Sequence, residues 1–175
     1  MLEVICGPMF AGKSTALAER YYALQAKGAK VKMFTSSADT RPYRRHDRGA
    51  FPEAEPVNKN PESDTGIQLG AGFDAVMFDE AQFMPEWVCG ALGAILRAGK
   101  LVTVAGLDRD SEGASWPVML RLVGMSQNVT FLEATCGCGR PAHYTLRLSP
   151  KASTIAIGGA EAYAPACKKC WETRT

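Results

Sequence analysis

Residues 7–14 read Gly7-Pro8-Met9-Phe10-Ala11-Gly12-Lys13-Ser14 and fit the pattern Gly-x-x-x-x-Gly-Lys-Ser/Thr in full. Glycines let the backbone curl so that successive N–H groups face one anion. A helix starting just beyond adds its positive end to that field. The lysine reaches the β- and γ-phosphates of a nucleotide, and the serine hydroxyl ligates Mg2+. A plain strand-to-helix turn is the bland alternative, but the flanks fit the phosphate loop. Residues 2–6 form a short apolar run suited to a buried strand, and Leu17, Tyr21 and Leu24 recur at helical spacing across 14–27, before Gly28.

Working outward, residues 31–35 read as a second strand, so strand, loop, helix and strand make a βαβ unit with parallel strands and a right-handed crossover. Residues 36–72 are rich in Asp, Arg, Pro, Asn and Glu with almost no periodic apolar pattern, and read as a long loop. Residues 75–78 form another buried strand. Trp87, Ala91, Leu92, Ile95 and Leu96 mark a helix over 85–98 that closes at Gly99. Residues 101–105 read as a fourth strand, 116–123 as a short helix and 129–132 as a fifth strand. After Thr135 the pattern turns to cysteines and short β-like pieces. We therefore expect an α/β domain over 1–134 and a small lobe over 135–175.

The strand over 75–78 ends in Asp79-Glu80. Ligands of parallel sheets gather at the carboxyl ends of strands, so this pair should open into the phosphate loop's crevice. Asp79 is expected toward Mg2+ through water. Glu80 is either the base that takes a proton from an acceptor hydroxyl, or the group that activates water in an ATPase.

Cys136, Cys138, Cys167 and Cys170 stand as two close pairs in the carboxyl-terminal region. Four thiolates suit tetrahedral Zn2+ in a closed, structural site, with a degenerate, empty site or an occasional disulfide as the alternatives, and a tail without a sizeable core would use the metal as its staple. The first pair has one intervening residue, Gly137, rather than two, so it must turn tightly. Cys6 and Cys89 stand alone in apolar surroundings and read as buried structural thiols. Phe83, Trp116 and Tyr163, taken singly, could each be core aromatics. His46 and His143 read as surface histidines, and Arg44-Arg45 as solvated loop charge.

The chain has 175 residues, 46 % apolar and 22 % charged, with a formal net charge of +2. That is a globular mix for about one domain. The charge is too slight to imply nucleic-acid or membrane-surface binding. No apolar run is long enough to cross a bilayer. The amino terminus lacks the features of a signal peptide, so a cytoplasmic setting is expected. A zinc-ribbon nucleic-acid module would need a basic stripe, whereas Arg140, Arg147, Lys151, Lys168 and Lys169 are spread among turns.

Together these features resemble the thymidine kinase family of the type II, tetrameric, zinc-containing class, essentially end to end. The resemblance is carried by residues 7–15, by Asp39-Thr40-Arg41, His46-Asp47-Arg48 and Asp79-Glu80-Ala81-Gln82-Phe83. Ala105-Gly106-Leu107-Asp108, the cysteine pairs, Tyr144-Thr145, Arg147-Leu148 and Ile157-Gly158-Gly159-Ala160 with Tyr163 complete it. It implies a P-loop, RecA-like parallel sheet flanked by helices, plus a zinc-binding lobe with a lasso-like lid over about 149–163. The implied reaction is transfer of the ATP γ-phosphate, with Mg2+, to the 5′-hydroxyl of thymidine or deoxyuridine, with dTTP as inhibitor and a homotetrameric assembly. It also implies Glu80 as catalytic base. Gly7, Pro8, Met9, Phe10, Ala11, Gly12, Lys13, Ser14, Thr15, Asp39, Arg41, Asp79 and Gln82 would lie around ATP. Met9, Phe83, Leu107, Trp116, Thr145, Thr154, Ala156, Ile157, Gly158 and Tyr163 would hold the nucleoside. The chain departs from the family at Ser111, where relatives carry an aromatic, and at Trp116, where they carry Phe. Ala11 replaces a small hydroxyl residue in the phosphate loop.

Overall fold

Leu2, Val4, Ile5 and Cys6 are at most 1 % exposed, which a strand achieves only with neighbours on both edges and layers on both faces. In the computed structural model, which describes residues 1–37, 52–57, 69–148 and 159–173, β1 (Leu2–Cys6) is such a strand. The other strands of its sheet are β2 (Val31–Ser36), β3 (Ala54–Val57), β4 (Ala75–Phe78), β5 (Leu101–Gly106) and β6 (Asn128–Phe131). Their order is β3-β2-β4-β5-β1-β6, and every pairing is parallel.

Side chains alternate between the two faces, as a strand's period of two requires. Val4, Cys6, Phe34, Phe78 and Val104 face a cluster completed by α2 (Trp87–Arg97) and α3 (Pro117–Met125), with Leu92, Ile95 and Leu122 among its members. Ile5, Met33, Met77 and Ala105 point the other way, onto Leu17 of α1 (Lys13–Ala26). This is the helix-flanked parallel sheet expected from the sequence. Cys6 and Cys89 are both buried, as expected.

The long loop expected over 36–72 needs correction, because it contains β3. Only Val57 of that strand is buried, and Pro56 lies opposite Thr35 of β2. An edge strand tolerates a proline and needs little apolar patterning.

Beyond β6 the chain builds two short antiparallel pairs. β7 (Ala134–Thr135) pairs with β8 (Pro141–Ala142), and β9 (Tyr144–Arg147) with β10 (Tyr163–Ala166). The helix α4 (Lys168–Thr173) follows. Among the described residues the buried cluster here is Cys136, Ala142 and Cys167, with Ala134 and Cys170 packed against it, and Leu146 and Ala166 are buried besides. No described helix is long and apolar enough to cross a membrane.

Candidate active site

Strand order decides which loops meet. β5 lies between β1 and β4, and all three end at the same edge of the sheet, so the loops after Cys6, Phe78 and Gly106 converge. Gly7 has φ 147°, and a Cβ there would stand 2.3 Å from the Leu132 carbonyl oxygen. Phe10 (φ 65°) and Gly12 (φ 80°) complete the curl that turns the loop into α1. Gly7→Ala therefore meets backbone in a conformation L-residues avoid. We expect it to cost about 3 kcal/mol or more, read as a lower urea midpoint with unchanged slope; a loss under about 0.5 kcal/mol, the usual range for innocuous surface changes, would contradict this packing.

Lys13 is half-buried, and its Nζ donates to the Pro8 carbonyl of its own loop at 2.6 Å. Burial lowers its pKa, opposed by the nearby carboxylates of Glu80, Asp79 and Asp108. Ser14 hydrogen-bonds the Asp79 carboxylate. The phosphate loop and the acidic pair therefore share one cleft.

The turn after β4 is tight. Glu80 sits at φ 52°, a left-handed conformation that costs a non-glycine residue roughly 1–2 kcal/mol. It leads into a 3-10 helix, Ala81–Phe83. This places Gln82 to donate from Nε2 to Glu80 Oε2 at 2.6 Å, while its Oε1 accepts the Leu107 amide at 2.9 Å.

Burial first, then the Glu80 carboxylate, push Asp79 up to about 7 against the Ser14 hydroxyl, the Glu80 amide and Lys13. An acid raised on folding keeps a proton that the unfolded chain has released, so its contribution to stability falls as pH rises from about 4 toward 7. A divalent cation bound at Asp79 would displace that proton and offset the loss. We expect Mg2+ to raise the melting temperature more at pH 8 than at pH 6, and Asp79→Asn to abolish the difference. A Mg2+ effect of equal size at both pH values would refute it.

Around the cleft mouth, the Phe83 and Trp116 rings meet edge to face at 5.4 Å, with Leu107 buried. The Met9 amide donates to Thr145 Oγ1 of β9 at 3.0 Å, tying the phosphate loop to the carboxyl-terminal lobe. Tyr163 opens β10, opposite Arg147. Met9, Phe83, Leu107, Trp116, Thr145 and Tyr163 are thus placed on the elements converging here. Asp39, Arg41, Thr154, Ala156, Ile157 and Gly158 lie outside the described residues, as do His46, Arg44 and Arg45. His143 is exposed, 3.5 Å from Glu133.

Sequence reading missed a second tie between lobe and cleft. Trp171 Nε1 donates to the Ser111 carbonyl at 2.9 Å, and its ring stacks on Tyr144 at 4.7 Å. The Arg109 guanidinium covers Tyr144 at 5.0 Å and holds Asp108 at 2.8 Å. The one sequence signal is that Trp171 directly follows Cys170, so whatever fixes the thiols also fixes the ring.

The four Sγ atoms of Cys136, Cys138, Cys167 and Cys170 all lie within 4.8 Å of one another. Cys138 Sγ is 3.4 Å from Cys136 Sγ and 3.7 Å from Cys167 Sγ. Thiolates around one tetrahedral Zn2+ would be about 3.8 Å apart, so the tight Cys136-Gly137-Cys138 turn fits. Arg140 draws Cys138 down to about 6, while the three neighbouring thiols push Cys170 up to about 12. Without a cation the four would not ionise together.

The thymidine kinase family model matches residues 1–171. The chain is 32 % identical to the thymidine kinase of Rhodothermus sp. (strain ITI 518) over 98 % of its own length and 81 % of the relative's. It is 37 % identical to thymidine kinase a of Arabidopsis thaliana over 98 % and 75 %, and 35 % identical to the Thermococcus kodakarensis thymidine kinase over 96 % and 92 %. With its phosphate loop facing an acidic pair across one cleft, this chain belongs to the thymidine kinase family.

Proposed function

We propose that this protein is a thymidine kinase of nucleotide salvage, transferring the ATP γ-phosphate to the 5′-hydroxyl of thymidine, or of deoxyuridine, to give the monophosphate. The observation that carries this reading is the Ser14 hydroxyl bonded to the Asp79 carboxylate, which joins the phosphate loop and the acidic pair in one site. Residues 7–15 cradle the triphosphate through backbone N–H groups, with Lys13 on the terminal phosphates. Ser14 and Asp79 would hold Mg2+, which would supply positive charge to the terminal phosphates.

Glu80 accepts the 5′-hydroxyl proton as the O5′–Pγ bond forms. The bond from Pγ to the bridging oxygen breaks, and ADP leaves with that electron pair. Phe83, Leu107, Trp116, Thr145 and Tyr163 enclose the nucleoside and exclude water, so that hydroxyl rather than solvent receives the phosphoryl group. Asp39 and Arg41 belong to the nucleotide site, and residues 149–163, with Thr154, Ala156, Ile157 and Gly158, to a lid over the base.

Cys136, Cys138, Cys167 and Cys170 hold a structural Zn2+. The enzyme works as a cytoplasmic homotetramer inhibited by dTTP. β6 supports self-association, being a sheet edge with Val129 37 % and Phe131 63 % exposed.

ADP formation measured with and without thymidine tests the reaction. Thymidine should stimulate ATP use and acquire phosphate one for one. ATP turnover indifferent to thymidine would instead support the water-activating reading of Glu80. Deoxyuridine and deoxycytidine in the same assay report on the pocket around Ser111 and Trp116.

A further inference from the structure

We infer that Gln82 is a positioning residue for the base Glu80 rather than a nucleotide contact, an inference resting on the reading of Glu80 above. Gln82 is 4 % exposed and its amide is used at both ends. Nε2 donates to Glu80 Oε2 at 2.6 Å, and Oε1 accepts the Leu107 amide at 2.9 Å. A carboxamide is the side chain that can do both, since it carries a donor and an acceptor.

The surroundings fix it in place. Gly106 leaves the space it occupies, because a Cβ there would lie 2.8 Å from Gln82 Oε1 and 2.7 Å from Met119 Sδ. The 3-10 bond from the Phe83 amide to the Glu80 carbonyl, 3.1 Å, holds residues 80 and 82 in one turn. Leu107 follows the rigid, fully paired β5, so the anchor of Gln82 is the sheet itself. Glu80 stands on a left-handed turn with a flexible side chain, and the bond from Gln82 selects one carboxylate orientation. General-base catalysis needs that orientation within a few tenths of an ångström of a hydroxyl that is itself held elsewhere.

A double-mutant cycle separates this role from the alternatives. Gln82→Met in the parent should lower kcat about 10- to 100-fold, the worth of a hydrogen bond to a charged group, with KM for ATP and thymidine within about twofold. In a Glu80→Gln background, the same change should lower residual kcat less than about threefold, because the group that it orients is no longer a base. Gln82→Asn keeps the carboxamide on a side chain one methylene shorter, which cannot span Glu80 and the Leu107 amide together. It should show a kcat loss in the same direction without adding charge, and it stands in if Gln82→Met fails to fold.

Equal losses in both backgrounds would make Gln82 merely structural and overturn the inference. So would a raised KM for ATP with kcat kept, which would make it a nucleotide contact. Full activity of Glu80→Gln would remove the base itself. A collapsed Glu80→Gln beside an unaffected Gln82→Met would spare that reading and sink this one.

Discussion

Glu80→Gln lowers thymidine phosphorylation by about 10^2- to 10^4-fold, the range a positioned general base contributes, and leaves the protein as stable as the parent or more so. The activity loss follows because the amide cannot accept the 5′-hydroxyl proton, while Lys13, Ser14 and Asp79 still bind the triphosphate. The stability gain follows from charge. The Glu80 charge helps to raise the Asp79 pKa, so removing it relieves that repulsion, while Lys13, which loses one opposing carboxylate, keeps Asp79 and Asp108 nearby. The amide still accepts from Gln82 Nε2, so the turn after β4 keeps its bond. Steady-state kinetics and thermal melts on the same preparation check both halves. Retained kcat would remove Glu80 as the base. A melting temperature far below the parent's would show that the carboxylate serves the fold.

The two halves of this cleft differ in how far they can be read from sequence. The phosphate loop and Asp79-Glu80 are legible because their information is local: a strand, a fixed number of residues, then a glycine turn or an acid. β3 is not legible. An edge strand with one buried side chain, Val57, leaves almost no periodic trace. Gln82 is visible as a motif member, but its second bond, to the Leu107 amide 25 residues away, depends on β5 lying beside β4. The bond from Met9 to Thr145 spans 136 residues and depends on the lobe folding back over the loop. Trp171 is similar: its stack on Tyr144 and its bond to Ser111 join three segments that share no sequence pattern. Local chemistry reads forward from the chain, whereas cross-sheet and cross-lobe contacts wait on topology.

Those cross-lobe contacts make metal removal the other large effect. Chelation should unfold β7 to β10 and α4 while the main sheet stays folded, raising KM for thymidine at least about tenfold with ATP binding largely kept. Among the described residues the lobe buries a three-residue cluster with Leu146 and Ala166 beside it, and its first two strands are two residues each, too little to repay the entropy of ordering such a segment. Four-thiolate Zn2+ sites in small domains supply roughly 10–16 kcal/mol near neutral pH, which dominates anything the apolar contacts can add. Once the thiols separate, α4 is released, Trp171 leaves Ser111 and Tyr144, and β9 and β10 lose the frame that sets Thr145 against Met9. The main cores lie on the sheet's two faces and include no residue of the lobe, so the phosphate loop keeps its support. Metal analysis should give about one Zn2+ per chain before treatment. Afterwards we expect a separate low-temperature melt, recovered on adding Zn2+ alone, and Cys167→Ser should reproduce the stripped state. Acidification should do the same, as protons compete with the cation for the thiolates. A stripped protein with parental melting and unchanged KM for thymidine would mean that the stacked rings and β9–β10 hold the lobe by themselves.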